Sequence, residues 1–426
     1  MRRKVLISTL IAATLPTALL AGCSSGSSGA PTNYAIAQKA ADITVDAAAL
    51  QQATTGSEAF SLALMRTLGD GAAGSNVVFS PQTLVDLLAM ILPGASGQSA
   101  MQVSDALGDA GLDPSTIAGA LGKLDATARA DANQVPNTLQ ESGDVWTDSS
   151  LTIAPNYLST LDGAFGVGVH QADFAKDPTG SAQAIDNLVS QETHGYIPQL
   201  FDPSTFAKDA ALVLTDAVYL NATWASQFPA YLTTKSSFHP ASGPTTQASM
   251  MSNTDDYKYA SGDGWQLVEL PYVGGKTAMD ILLPAEGAGT LSALRDGLSA
   301  AKLNSMLNSM TKKAVALSIP KFTTSYSADS LIQTLTQLGL GSLFNDSDLT
   351  AMTAPSQPLS IGQVVEKAYV AVGEKGTVAA AAAGGAAVAT SARRVDDTVT
   401  ADHPFLYLVR DVPTGQLLFA GQVATA

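Results

Sequence analysis

The chain has 426 residues, of which 46% are hydrophobic and 14% charged, and its formal net charge is −15. That is ample apolar material for a large core, although length alone would admit two or three domains. The acidic balance, with no basic cluster beyond the first few residues, argues against nucleic acid and against electrostatic docking on anionic membranes.

Arg2-Arg3-Lys4 precedes an apolar run, Val5–Leu20, which Pro16 interrupts and Leu20-Ala21-Gly22-Cys23 closes. A cationic start, an apolar stretch and small residues at the cut describe a secretory signal. The run is too short for a membrane span. Its end resembles a bacterial lipoprotein box, in which the cysteine is lipidated and becomes the first mature residue. Cys23 is the only cysteine, so no intrachain disulfide can form. We therefore expect a lipoprotein signal peptide over residues 1–22, and a lipidated Cys23 with a flexible tether over residues 23–56. Ser24-Ser25-Gly26-Ser27-Ser28-Gly29 opens that tether with linker composition. The expected location is extracytoplasmic, anchored to the membrane through Cys23 at the cell surface or in the periplasm.

Further on, Ser80 is suited to cap a helix and Pro81 to begin it. Leu84, Leu87, Leu88 and Ile91 recur at helical spacing until Pro93-Gly94. Ala211 to Leu220 is an apolar, β-rich run with the length of a buried strand. Asp329 to Leu340 reads as a helix. Phe405–Arg410 and Gln416–Val423, joined through Pro413-Thr414-Gly415, read as a hairpin. Catalytic chemistry is scarce. The four histidines, His170, His194, His239 and His403, sit in no metalloprotease helix, and the chain has neither a nucleophile elbow nor a phosphate loop. We expect no enzyme activity, no metal site and no cofactor. His194 and His403 read as structural.

Between these elements lie several short signatures. Asn76-Val77-Val78-Phe79-Ser80-Pro81 is followed by Gly94-Ala95-Ser96-Gly97-Gln98-Ser99, and Thr193-His194-Gly195-Tyr196-Ile197 comes later. Leu270-Pro271-Tyr272, Leu282-Leu283-Pro284, Ile319-Pro320-Lys321-Phe322 and Leu338-Gly339-Leu340 come next. His403-Pro404-Phe405 and Leu418-Phe419-Ala420-Gly421-Gln422-Val423 close the chain. The most informative stretch is Glu374-Lys375-Gly376-Thr377-Val378-Ala379-Ala380-Ala381-Ala382-Ala383. In their order along residues 57–426 these motifs resemble those of the serpins, and the last resembles the serpin reactive-loop hinge.

The resemblance implies an α+β serpin fold over 57–426, with a large central mixed β-sheet, surrounding helices and an exposed mobile reactive loop. It implies a monomeric inhibitor of serine-type proteases that acts as a suicide substrate. The hinge becomes a strand of the sheet once the loop is cut, which suits its small side chains, because burying an unpaired charge is costly. Alanine also has almost no side-chain entropy to lose. Counted from Glu374 as in the family, the attacked bond falls at Thr390-Ser391. Val388-Ala389-Thr390 would suit an elastase-like or subtilisin-like protease, while Arg393-Arg394 is the alternative bond for a trypsin-like one. Two departures stand out: Val378 replaces a usual Glu, and Gly384-Gly385 would weaken an inserted strand. A non-inhibitory serpin-fold binding protein at the cell surface is the alternative function. Outside the family, the fallback is a lipoprotein domain that binds a small solute. The resemblance also assembles a sheet-opening region from Ser80, Thr83, Asp216, Glu366 and Trp224. There Asp216 and Glu366 stand where an asparagine and a histidine are usual. Buried together, they would share a proton. Lys367 would face the other way, because neighbouring strand residues alternate.

Overall fold

A computed structural model describes residues 33–72, 74–108, 111–201, 210–287, 289–328, 331–346, 348–377 and 394–426. It begins with β1 (Asn33–Ala35), α1 (Ala47–Gly71), β2 (Val77–Phe79), α2 (Pro81–Ile91), α3 (Gly97–Ala106) and α4 (Pro114–Ala132). Next come β3 (Thr138–Asp148), α5 (Pro155–Phe165), β4 (Val169–Ala172), α6 (Pro178–Glu192) and β5 (Leu212–Thr223). Strands β6 (Thr234–Phe238), β7 (Thr246–Gly262), β8 (Trp265–Pro271) and β9 (Thr277–Pro284) precede α7 (Thr290–Asp296) and α8 (Ala300–Ser309). Then follow β10 (Thr311–Pro320), β11 (Phe322–Ala328), α9 (Ile332–Gln337), α10 (Ser342–Asn345), β12 (Gln363–Gly373) and β13 (Gly376–Thr377). The chain closes with β14 (Asp397–Thr400), β15 (Phe405–Asp411) and β16 (Leu417–Val423).

Among the described residues these strands make two sheets. One has seven strands in the order β1-β4-β3-β5-β13-β12-β11. The other follows the path β14-β10-β7-β8-β9-β15-β16-β2, with β6 beside β7. The seven-stranded sheet is mixed, since β5 runs antiparallel to β3 but parallel to β12. The expected α+β class holds.

Helix α2 occupies the space behind this sheet, packing on β3, β5 and β16. Every one of its residues is buried, as expected of a helix that is apolar all round. Its capping is as the sequence suggests: Pro81 opens the first turn and the Thr83 N–H donates to Ser80 Oγ at 3.3 Å. Helix α6 covers the opposite face, where Ala182, Ile185 and Val189 pack with Trp146, Val213, Ala217 and Val365. Strand β5 is therefore covered on both sides. Its first nine residues are all buried, and it reads as a nearly continuous apolar run.

Four expectations need correction. The tether does not extend to residue 56, because β1 pairs antiparallel with β4 and Ser159 Oγ donates to Lys39 O at 2.9 Å. Helix α1 begins at Ala47 behind its Asp46 cap, and Ala49, Ala53 and Gly56 are buried. The expected strand over Ala211–Leu220 extends to Thr223, and the helix expected over Asp329–Leu340 is described only as Ile332–Gln337. In the C-terminal hairpin the first strand runs on to Asp411 and the second begins at Leu417.

Candidate functional site at the sheet seam

The register of β12 against β5 creates a seam. The two strands pair directly from Gln363↔Val213 to Tyr369↔Tyr219. Beyond that they part, and the chain turns after Gly373 so that β13 comes back between them. Gly376 and Thr377 pair with Thr223 and Ala222 on one side, and with Gly373 and Val372 on the other. The first residues of the expected hinge are thus already a strand of the sheet, wedged into one end of the seam.

Several contacts hold this wedge. The Trp224 N–H donates to Lys375 O and the Phe228 N–H to Glu374 O, both at 2.9 Å. The Trp224 indole N–H donates to Gly373 O at 2.9 Å. Lys321 Nζ lies 2.9 Å from Glu374 Oε2, and Thr233 Oγ1 donates to Glu374 Oε1 at 3.1 Å. Partial burial works to raise the Glu374 carboxyl, but the bonds from Lys321 and Thr233 outweigh it and hold its pKa below the usual value. Gly376 is obligatory by contact: a Cβ there would lie 1.9 Å from Ala222 O, a backbone atom of β5. Thr377 is fully buried, and its hydroxyl is 2.6 Å from the Tyr272 hydroxyl. Tyr272 stacks on Trp224 with ring centroids 4.5 Å apart, and burial pushes its phenol well up, so that it stays neutral. Tyr272 and Lys321 entered the sequence reading only as parts of signatures. Nothing in their local pattern signals that both meet the hinge.

Of the expected sheet-opening residues, four converge. Asp216 and Glu366 are register partners in the parallel pair, so their side chains share a face, and both are fully buried. The Ser80 N–H donates to Glu366 Oε1 at 2.7 Å, and Ser80 Oγ lies 2.8 Å from Thr83 Oγ1. Burial pushes the Glu366 carboxyl up to about 8 against the opposing Ser80 bond. Burial, then the neighbouring Glu366 and Glu141 carboxyls, push Asp216 well above the usual range. Lys367 faces away, with its ammonium donating to Gln199 O at 2.8 Å. Trp224 does not belong to this group. Eight positions along β5 place it about 26 Å away, at the wedge.

The sequence reading missed the acidic neighbours on the same face. Glu141 of β3 and Asp86 of α2 are buried, and Gln82 Nε2 donates to both Asp86 oxygens at 3.1 Å. Arg129 Nε lies 2.8 Å from Asp125 Oδ1 and 3.0 Å from Glu141 Oε2. Gly143, opposite Asp216 in β3, lets α2 approach: a Cβ there would meet Thr83 Cγ2 at 2.7 Å.

Two of the histidines, His194 and His403, read as structural from the sequence. His194 takes a positive φ of 53° in the turn after α6, and His403 Nε2 lies 2.9 Å from Pro284 O. Cys23, the hinge residues Val378–Ala383 and the bond residues Thr390, Ser391 and Arg393 lie outside the described residues. Arg394, the first described residue beyond them, is an exposed side chain 3.9 Å from Asp396 Oδ1. Among the described residues no helix is long and apolar enough to cross a membrane.

Comparison with known proteins agrees with this architecture. The family profile described as serpin (serine protease inhibitor) matches residues 55–426. Iripin-2 of Ixodes ricinus is 31% identical over 379 residues, covering 87% of this chain and 92% of its own. Plasminogen activator inhibitor 1 of Neovison vison is 28% identical over 371 residues, covering 85% of this chain and 90% of its own. The thermophilic serpin tengpin in its native state superposes with a TM-score of 0.81 at 20% identity, covering 92% of this chain and 98% of that one.

Proposed function

The chain belongs to the serpin family, and from that premise we propose that it inhibits a serine protease as a suicide substrate. The observation that carries this reading is the wedge: Gly376 and Thr377 already lie between β5 and β12, in line to continue as a full strand. Small residues follow them from Ala379 to Ala383. In this scheme the protease serine hydroxyl adds to the Thr390 carbonyl and the Thr390–Ser391 amide breaks. Ser391 leaves as the amine, and an ester joins Thr390 to the enzyme. Freed at that end, the segment after Thr377 enters the seam as a strand and carries the ester-linked protease with it before water can cut the ester. Strain stored in the uncut sheet drives the step.

Val388-Ala389-Thr390 favours an elastase-like or subtilisin-like target, and Arg393-Arg394 is the alternative for a trypsin-like one. Val378, standing where the family usually has a Glu, favours the second reading, a surface binding protein without inhibitory action. The two readings part on one gel. Mixed with elastase-type, subtilisin-type and trypsin-type proteases, an inhibitor gives an SDS-resistant complex with at least one of them. A protein that is only cleaved, or untouched, by all three is not an inhibitor of this kind. In this reading the partner is a serine protease and the protein acts as a monomer. We further propose that Cys23 carries lipid and holds the protein on the outer side of a membrane, at the cell surface or in the periplasm.

A further inference from the structure

We propose that Asp216 and Glu366 form a proton-operated latch across the β5–β12 seam, so that pH sets how readily the strand following Thr377 enters the sheet. The inference rests on the inhibitory reading for its consequence, but not for its geometry. Any strand that continues from the wedge must part these two residues, because they are direct register partners. Glu366 Oε1 takes the Ser80 N–H, while Glu366 Oε2 is buried without a hydrogen-bond partner among the described residues, and the Thr83 hydroxyl beside Asp216 offsets the burial of that carboxyl only in part. A proton held between the two carboxyls supplies the missing bond, and such bonds are seldom left unmade in a core.

The groups facing the pair come from every packed element. Glu141 comes from β3, Asp86 and Thr83 from α2, and Tyr326 from β11, whose phenol is raised to about 12 by burial and then by Glu366. Asp125 and Arg129 of α4 complete the row. The Arg129 guanidinium stands among Asp86, Asp125 and Glu141, at the far end of the row from Asp216 and Glu366, and one positive charge cannot offset three. Uncompensated carboxylates are too costly in a core, so the closed sheet favours the protonated forms of Asp86 and Glu141. Burial, opposed by Arg129, still pushes Glu141 up to about 7, and burial with Asp125 holds Asp86 well above the usual range. The row also has an outlet. Asp125, Arg129 and Glu141 line a cavity of about 390 Å³ shared with Asp144 and Glu192, and the Arg129 side chain is 38% exposed. His170 Nε2 lies 3.4 Å from Asp144 Oδ1 at this end. The row thus meets solvent at its Arg129 end.

A carboxyl with a raised folded pKa keeps a proton that the unfolded chain has already lost. Its contribution is whole below the unfolded pKa of about 4 and declines as pH rises through the folded value. For Glu366 that decline ends near 8. Loss of the shared proton puts two like charges on adjacent strands. An inserted strand relieves them by doubling the spacing from about 4.8 Å to about 9.6 Å. Rising pH therefore weakens the uncut sheet and spares the inserted one.

The test is hydrogen–deuterium exchange of β5 and β12 amides in the full-length uncut protein between pH 5.5 and 8, corrected for intrinsic exchange. Protection in the parent should fall by about tenfold to a hundredfold, the effect of one excess proton over one to two pH units. Asp216→Asn, which donates to Glu366 at any pH, should flatten the slope by the share of one proton, leaving what Glu141 and Asp86 contribute, and raise protection at pH 8. Glu366→Gln is the independent second variant and should flatten the slope as well. A parent without slope, or an Asp216→Asn protein whose slope is undiminished, overturns the latch. The exchange arm uses no protease, so it is decided even if inhibition fails. If the seam titrates while the rate of complex formation, corrected for the protease's own pH profile, does not follow it, the latch does not govern insertion.

Discussion

Thr377→Arg should convert the protein from inhibitor to substrate. Thr377 has no exposed surface, and its hydroxyl contacts Tyr272 within a wall formed by Tyr272, Trp224, Ala222 and Val372. The nearby carboxylate in the hinge, Glu374, is already bound by Lys321 and Thr233, so a guanidinium at 377 has no partner in the sheet: it expels β13 from the uncut protein, and insertion must then bury it. Leaving an ion buried without a partner costs about 3–5 kcal/mol. At about 1.4 kcal/mol per factor of ten, insertion slows roughly a hundredfold to a few thousandfold, and ester hydrolysis overtakes it. The readout is the ratio of SDS-resistant complex to cleaved protein at equal protease. Thr377→Val is the control. It forfeits the bond to Tyr272, at about 1–3 kcal/mol, but stays small and neutral, and should keep most of the trapping. If Thr377→Arg traps protease as well as the parent does, insertion of the hinge is not the mechanism.

Cleavage in the loop, by trypsin at Arg393 for example, should raise the melting temperature by about 6–12 °C, since about 3 kcal/mol of new strand pairing moves it about 2–4 °C per kcal/mol. Equal melting of cut and uncut protein in calorimetry would rule out a strained uncut state. Gly376→Ala meets Ala222 O at 1.9 Å and should expel the wedge, costing about 1–3 kcal/mol as overpacking does. An unchanged melting temperature and unchanged exchange at Trp224 N–H would show that β13 does not brace the seam. Cys23→Ser should move the protein from the membrane fraction to the soluble one, because it removes the only cysteine that could carry the acyl chains of the anchor. A wild-type protein already wholly soluble and unlipidated in its own cells removes the anchor.

Local chemistry alone determined much of this protein. Ser80 and Pro81 start α2 because a hydroxyl cap and a fixed φ suit a first turn wherever they stand. Leu212 to Leu220 is a strand because a run buried on both faces needs no alternation. The alanines after Thr377 carry small, neutral side chains, which is what the proposed insertion requires. Other features needed the tertiary structure. Ala49, Ala53 and Gly56 look like tether because small residues carry little hydropathy. Their value is close approach: a Cβ on Gly56 would lie 1.8 Å from Leu107 O. The joining of Asp216 to Glu366 was legible through the family motifs, but the wider acidic row was not. It exists because Gly143 lies opposite Asp216 in β3, which puts Glu141 two residues along on the same face, and because α4 brings Asp125 and Arg129 to its end. Strand register and helix crossing arise from packing of the whole chain, and no residue's immediate neighbours in sequence record them.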